Sequence, residues 1–354
     1  MVIQRKKKET NEPVIKKTNN RLFIPSGSTL LNLACSETIR GAYALGKVVT
    51  MPGASSTGKT LMQLTMFAEM NKISEFKDYD LYYDDVEESL EFDLTKFNLQ
   101  DRLLFPIPDK DPPHSDTIED FKSNMLLIAK KKRPFVYILD SLDALTSTVE
   151  LEREYKNALK IAKSDEHVKE LKNSYKTEKA KTIGEILRMT KQILKELNSV
   201  LIIVQQKRQK IGVVFGDKST TSGGEAPFFY SSYQIWLKHR SEIKEKGILI
   251  GNKVIAKVSK NKFTGKRREV EFEIYDEFGI DDIGSCIDYL VLTEHWKKAS
   301  KGVITAKEFN VEKTKKALIT EIEKNDYEER LKRIVGRKWL EIENSVKLNR
   351  KAKY

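Results

Sequence analysis

The stretch Gly53-Ala54-Ser55-Ser56-Thr57-Gly58-Lys59-Thr60 decides the fold. It reads glycine, four residues, glycine, lysine, hydroxyl residue, and it separates two segments of different character. Before it, Lys47 to Met51 is a short apolar run that reads as a strand. After it, Lys59 to Met70 is amphipathic at helical spacing. Strand, glycine loop and helix in that order make a phosphate cradle. Glycine lets the backbone wrap closely, so its N–H groups and the helix N-terminus face phosphate oxygens. Gly53, Ala54, Ser55, Ser56, Thr57, Gly58, Lys59 and Thr60 are therefore the expected nucleotide contacts. Lys59 would neutralise the β- and γ-phosphates, and the Thr60 hydroxyl would ligate Mg²⁺.

Working outward, Leu81–Asp84, Phe135–Asp140 and Val200–Val204 are further apolar runs. The last two are continuous, as expected of strands buried on both faces. Helical patterns alternate with them, which predicts an α/β fold with a parallel sheet and crossover helices. Asp140 ends its strand where P-loop enzymes keep a carboxylate for Mg²⁺; the plainer reading is a strand-end cap. Asp85, Glu87 and Glu88 follow the Leu81–Asp84 strand. A carboxylate at that edge can orient and deprotonate an attacking water, and Glu87 is the chosen base, with Asp85 and Glu88 as competitors. A cluster capping the next helix is the plainer reading for at least two of the three.

Pro106 to Pro113 breaks the chain, and a helix follows from Thr117. From Glu150 to Lys181 charge dominates, while Leu151, Tyr155, Leu159 and Ala162 recur at helical spacing. That predicts an exposed amphipathic helix or helical hairpin, a solvated insertion. Residues 231–275 read as antiparallel strands. Beyond Gly284 the pattern is helical and basic. The expected organisation is a basic arm over 1–22, a core over 23–283 and a small basic C-terminal domain over 284–354.

The net charge of +12 suits a polyanionic partner, although lysine-rich chains are often merely soluble. Cys35 and Cys286 have no paired spacing, which argues against a disulfide framework or structural zinc site and fits a reducing compartment. His114, His167, His239 and His295 are scattered, and each reads as surface or core. The basic N-terminus lacks the apolar segment of a signal peptide, and no run approaches a membrane span. A soluble, cytoplasmic protein without a membrane partner is expected.

One further stretch narrows the reading. Gln205 to Gly224 closely resembles the strand-end glutamine and second DNA-binding loop of the RecA-type recombinases. Ile24–Asn32 looks like that family's opening segment, Leu139-Asp140-Ser141-Leu142 like its Walker B strand, and Lys260-Asn261-Lys262 like its paired lysines. The resemblance runs from about residue 24 to beyond 284. It looks closer to the divergent forms carried by bacteriophages than to a typical cellular member.

The resemblance implies a RecA-like P-loop NTPase core with a mostly parallel central sheet, plus a small basic α+β C-terminal domain. It implies a DNA-dependent ATPase that uses ATP and Mg²⁺ and releases ADP and phosphate. Such a protein forms a helical homo-oligomer on single-stranded DNA and exchanges that strand with a homologous duplex, in recombination and repair. A bacterial or phage-infected cell is its expected setting. Gln206 would contact the γ-phosphate and report it to the loop. Lys207, Arg208 and Lys210 would meet DNA phosphates, and Val214 and Phe215 would wedge between bases. Gly223 and Gly224 would let the loop move. Lys260 and Lys262 would reach the ATP of a neighbouring subunit; on chemistry alone an edge-strand charge pair is an equal reading.

The chain departs from the family in four places. Residues 150–181 are longer and more charged than the family's first DNA loop, so no residue of that loop is carried over. Gln234 stands where the family has an arginine, and the N-terminal arm is short. Lys332, Arg333, Arg337, Lys338 and the run 347–353 replace an acidic tail. Two other functions fit the same core, a non-exchanging DNA-binding recombination mediator and a ring-forming helicase-type ATPase. Intact Lys59, Thr60, Asp140 and Glu87 disfavour the first, and the loop after Gln206 disfavours the second.

Overall fold

The computed structural model describes residues 21–162, 174–209, 219–220, 224–348 and 350. The chain opens with β1 (Phe23–Ile24), α1 (Thr29–Ser36), β2 (Tyr43–Ala44), β3 (Lys47–Gly53) and α2 (Lys59–Asn71). Next come β4 (Asp80–Asp85), β5 (Leu103–Leu104), α3 (Ile118–Lys130) and β6 (Phe135–Asp140). Helices α4 (Thr148–Ala162) and α5 (Ser174–Glu196) precede β7 (Val200–Gln206), β8 (Arg208–Gln209), β9 (Ser219–Thr220) and α6 (Ala226–Tyr230). Strands β10 (Tyr233–Glu245), β11 (Ile248–Asn261), β12 (Glu269–Tyr275) and β13 (Gly279–Asp281) lead into α7 (Asp282–Leu292). The chain closes with β14 (Lys297–Lys298), β15 (Val303–Ala306), β16 (Val311–Thr314), α8 (Lys315–Lys324) and α9 (Glu328–Ser345).

Nine strands form the central sheet in the order β13-β12-β11-β10-β3-β7-β6-β4-β5. From β10 to β5 every pairing is parallel; β11, β12 and β13 continue antiparallel. The expected α/β class and mostly parallel sheet are borne out, and a three-stranded sheet of β14, β15 and β16 lies near the C-terminus. Residues 231–275 hold the expected antiparallel strands, but the first of them, β10, also pairs in parallel with β3.

Period-two alternation explains the two layers of core. On β7, Val200, Ile202 and Val204 face one buried cluster while Leu201 and Ile203 face the other. On β6, Val136 and Ile138 share the first cluster, and Phe135, Tyr137 and Leu139 the second. Helices α1, α2 and α7 cover the first face; α3 and α5 cover the second. With both faces covered, the strands carry apolar residues throughout. Helix α3 starts on a capping box in which Thr117 and Asp120 satisfy each other's backbone N–H groups.

The charged insertion is helical where described, over 148–162 and 174–196, and Leu151, Tyr155 and Leu159 lie exposed along α4. At the C-terminal end, Trp296, Leu318, Ile322, Ile334 and Val335 belong to the same buried cluster as Leu31 and Phe67. Residue 284 falls inside α7.

Candidate functional site

Sheet register fixes the site. Gly53 pairs with Gln206 across β3 and β7, and Asp85 with Asp140 across β4 and β6. The C-terminal ends of four parallel strands therefore line one edge. The chain leaves β3 there for the distant β4, and such a crossover opens a crevice for ligands in α/β sheets.

The loop after β3 is built as the sequence predicts. Gly58 caps α2 in a left-handed conformation, φ +74°, and a Cβ there would lie 2.8 Å from Ile274 Cδ1, so both backbone and space require glycine. Thr57 Oγ1 donates to the Ala54 carbonyl at 2.8 Å and holds the loop closed. Lys59 Nζ donates to the Ala54 carbonyl at 2.7 Å and the Gly53 carbonyl at 3.4 Å. Burial pulls its pKa below the ordinary lysine value, and the charges of Asp140, Glu87 and Asp143 oppose that shift.

Thr60 Oγ1 donates to Asp140 Oδ2 at 3.2 Å, and the buried Tyr83 hydroxyl donates to the same oxygen at 2.6 Å. Burial pushes the Asp140 carboxyl up to about 6; the Glu87 charge adds to this, while Tyr83, Lys59 and Thr60 oppose it. In a desolvated carboxylate the charged form is favoured by a nearby cation. With the Thr60 hydroxyl it makes a hard oxygen pair at the start of α2, which suits Mg²⁺. Among the described residues no group of three or more His, Cys, Asp or Glu is arranged to hold a metal ion. A magnesium ion here would depend on phosphate oxygens and water for its other ligands.

The three carboxylates at the end of β4 and just beyond it point different ways. Asp85 accepts from the backbone N–H groups of Ser89, at 3.1 Å, and Leu90, at 2.8 Å. Glu88 Oε1 meets His114 Nε2 at 3.2 Å. Glu87 alone of the three reaches toward the P-loop side: Gln206 Nε2 donates to its two oxygens at 3.1 and 3.2 Å, and Ser141 Oγ donates to Oε1. Gln206 is itself fixed at its backbone N–H by Asp143 Oδ2 at 2.8 Å, and its side-chain oxygen accepts from Ser55 Oγ at 3.4 Å. Gln206 thus touches both the phosphate loop and the acidic turn.

Lys260 and Lys262 are not brought to this edge. Lys260 pairs with Gln234, which pairs with Thr50, three residues back from Gly53 along β3. That is roughly 10 Å toward the opposite edge of the sheet. Lys260 Nζ instead donates to the Phe228 and Phe229 carbonyls at the end of α6 and lies 4.3 Å from the centre of the Phe228 ring. Lys262 Nζ donates to the Phe229 carbonyl at 3.4 Å. Burial, then the like charge of Lys262, lowers Lys260 to about 8.

Of the expected DNA-loop residues, Lys207 follows β7 directly, with its N–H bonded to the Gly53 carbonyl at 2.9 Å. Arg208 lies in β8, opposite Thr220 of β9, and Gly224 precedes α6 with φ +68°. Lys210, Val214, Phe215 and Gly223 lie outside the described residues. Sequence reasoning missed Tyr83, Ser141 and Asp143. Tyr83 carries the clearest signal, a phenol two residues before the end of β4, where a buried hydroxyl needs a partner.

Among the described residues no helix is long and apolar enough to cross a membrane. A family profile described as "RecA N-terminal domain" matches residues 8–281. The chain is 30% identical to the protein named RecA of Ehrlichia ruminantium over 265 residues, 75% of this chain and 66% of that one. It is 31% identical to that of Ehrlichia chaffeensis over the same spans, and 30% identical to that of Geobacter metallireducens over 76% of this chain and 71% of the relative. The matched region thus spans just under two thirds of the Ehrlichia proteins.

Proposed function

The chain belongs to the RecA family, and from that premise we propose that it is a DNA-dependent ATPase that filaments on single-stranded DNA and pairs it with a homologous duplex. The observation that carries this reading is the contact of Gln206 with Glu87. It joins the strand that leads into the expected DNA loop to the carboxylate best placed to act on ATP.

In this reading the backbone of Gly53–Thr60 and the Lys59 ammonium hold the triphosphate. Mg²⁺, held by Thr60 with Asp140 behind it, would neutralise charge on the phosphate oxygens. Glu87 orients the attacking water and takes its proton, and the Ser141 and Gln206 hydrogen bonds aim its carboxylate. Gln206 senses the γ-phosphate and passes its presence to Lys207 and the loop beyond. Lys207, Arg208 and Lys210 bind DNA phosphates; Val214 and Phe215 contact bases; Gly223 and Gly224 supply the loop's freedom.

Lys260 and Lys262 act on the ATP of a neighbouring subunit. Their position away from their own P-loop supports this. Single- and double-stranded DNA and further copies of the chain are the partners, in the cytoplasm of a bacterial or phage-infected cell. The intact ATP residues favour this reading over a non-hydrolysing mediator. The test is ATP turnover with and without single-stranded DNA. Several-fold stimulation is expected, and DNA-independent turnover would overturn the proposal.

A further inference from the structure

Outside the groups already assigned, one buried histidine stands directly behind the acidic turn. His114 belongs to the segment after the Pro106–Pro113 break, and only 8% of its side chain is exposed. The segment is anchored on β4. Ser115 donates to Asp84 through its N–H at 2.8 Å and its hydroxyl at 2.7 Å, and Asn124 donates to Ser115 Oγ at 2.9 Å. From this base the imidazole crosses to Glu88, the residue next to Glu87.

Glu88 needs such a support. Its φ is +49°, a left-handed conformation that a residue with a Cβ adopts only at a cost. A backbone turn, Glu88 N–H to the Asp85 carbonyl at 3.1 Å, holds one side of it. The His114 contact holds the other. Since Glu87 and Glu88 are consecutive, the torsion of Glu88 helps set where the Glu87 carboxylate lies.

The ring faces an oxygen on each side. His114 Nε2 faces a carboxylate oxygen of Glu88 at 3.2 Å, and Nδ1 faces the Ser115 carbonyl at 3.0 Å. Both are acceptors, so only the doubly protonated ring donates at both positions. A neutral ring sets one lone pair against another oxygen. The other charged groups around it are Asp116, whose carboxylate is 3.6 Å from Nδ1, and Asp84 on β4. Lys110 bonds the His114 carbonyl and the Asp116 carboxylate. Asp85 and Glu91 line the cleft of about 230 Å³ on which His114 and Glu88 open.

We propose that His114 is a positioning residue for ATP hydrolysis: its imidazole, held against Glu88, clamps that residue and thereby aims Glu87. This rests on the hydrolytic role assigned to Glu87. The experiment is steady-state ATP hydrolysis for wild type, His114→Ala and His114→Gln, with 15N spectra of the imidazoles in nucleotide-free protein.

His114→Ala should lower kcat about five- to tenfold with KM for ATP nearly unchanged. His114→Gln, whose amide still donates to Glu88, should recover much of that loss. Wild-type kcat in both variants would overturn the proposal. If the chain hydrolyses no ATP, the function proposed above fails by itself and the spectra still decide. The His114 ring resonances should move in Glu88→Gln, since Nε2 loses its carboxylate partner. Unmoved resonances in Glu88→Gln would refute the clamp.

Discussion

Gln206 Nε2 lies 3.1 Å from one carboxylate oxygen of Glu87 and 3.2 Å from the other, so a neutral amide spans both oxygens of the proposed base. The amide nitrogen carries two N–H groups, so a γ-phosphate would draw one of them away while the other stays on Glu87. Gln206→Ala should leave ATP affinity within about twofold of wild type, since one neutral hydrogen bond contributes little net energy. DNA affinity should then no longer rise when ATP is added. Titration of labelled single-stranded DNA, with and without a slowly hydrolysed ATP analogue, measures this coupling. Equal tightening in both proteins would contradict the switch.

The choice among the three acidic residues makes a separate prediction. Glu87→Gln should lower kcat by about 10²–10⁴-fold and keep ATP bound, because only the general base is lost. Asp85, whose carboxylate is occupied by the N–H groups of Ser89 and Leu90, should instead affect folding of the turn when replaced. Normal turnover in Glu87→Gln beside an inactive Glu88→Gln would assign the base to Glu88.

The paired lysines predict complementation. Replacing Lys260 and Lys262 together by Ala should spare ATP binding and lower DNA-stimulated hydrolysis about a hundredfold or more, as removal of a charge-stabilising group does. Mixing that variant with Glu87→Gln should restore part of the activity, since some interfaces then combine an intact base with intact lysines. The measurement is turnover against mixing ratio in filaments shown to contain both proteins. A strictly additive, inactive mixture would place the lysines in cis.

Acid stability has an identified contributor. Glu343 on α9 accepts from Arg268 Nε at 2.5 Å, Arg268 Nη2 at 2.8 Å and Lys266 Nζ at 2.7 Å. The Arg268 hydrogen bonds hold its carboxyl down at about 2, from an ordinary 4.5. A depressed carboxyl stabilises the fold above its unfolded value, and that stabilisation is lost as pH falls from about 4.5 toward 2. Glu343→Gln should lower Tm by about 2–4 °C at pH 7, with the gap closing toward pH 2. Thermal melts across that range test it; a gap that persists at the lowest pH at which the protein folds would refute the assignment.

The parallel strands and the phosphate loop were legible because their signals are local. Apolar runs such as Val200–Val204 report burial on two faces, and Gly58 reports a backbone that no other residue adopts without strain. What was not legible depends on register and on distant pairing. Tyr83 reaches Asp140 only because β4 lies beside β6. His114 read as an unremarkable core or surface histidine until the segment after Pro113 folded onto β4. The small C-terminal region was legible as basic and helical, but not that its Leu318 and Val335 join the same buried cluster as α1 and α2, a packing across nearly the whole chain that no periodicity encodes. Lys260 and Lys262 were recognised by resemblance, and their hydrogen bonds to the end of α6 could not have been read from their spacing.

Strand exchange between single-stranded DNA and a homologous duplex, followed with ATP and Mg²⁺ for wild type, Lys59→Ala and Gln206→Ala, tests the central claim most directly. The account predicts joint molecules and displaced strand with wild type. With Lys59→Ala there should be no product, because the cation that stabilises the phosphates is gone. With Gln206→Ala the product should fall sharply while ATP still binds. ATP hydrolysis by wild type without any exchange of homologous strands, at salt low enough for both DNAs to bind, would contradict it.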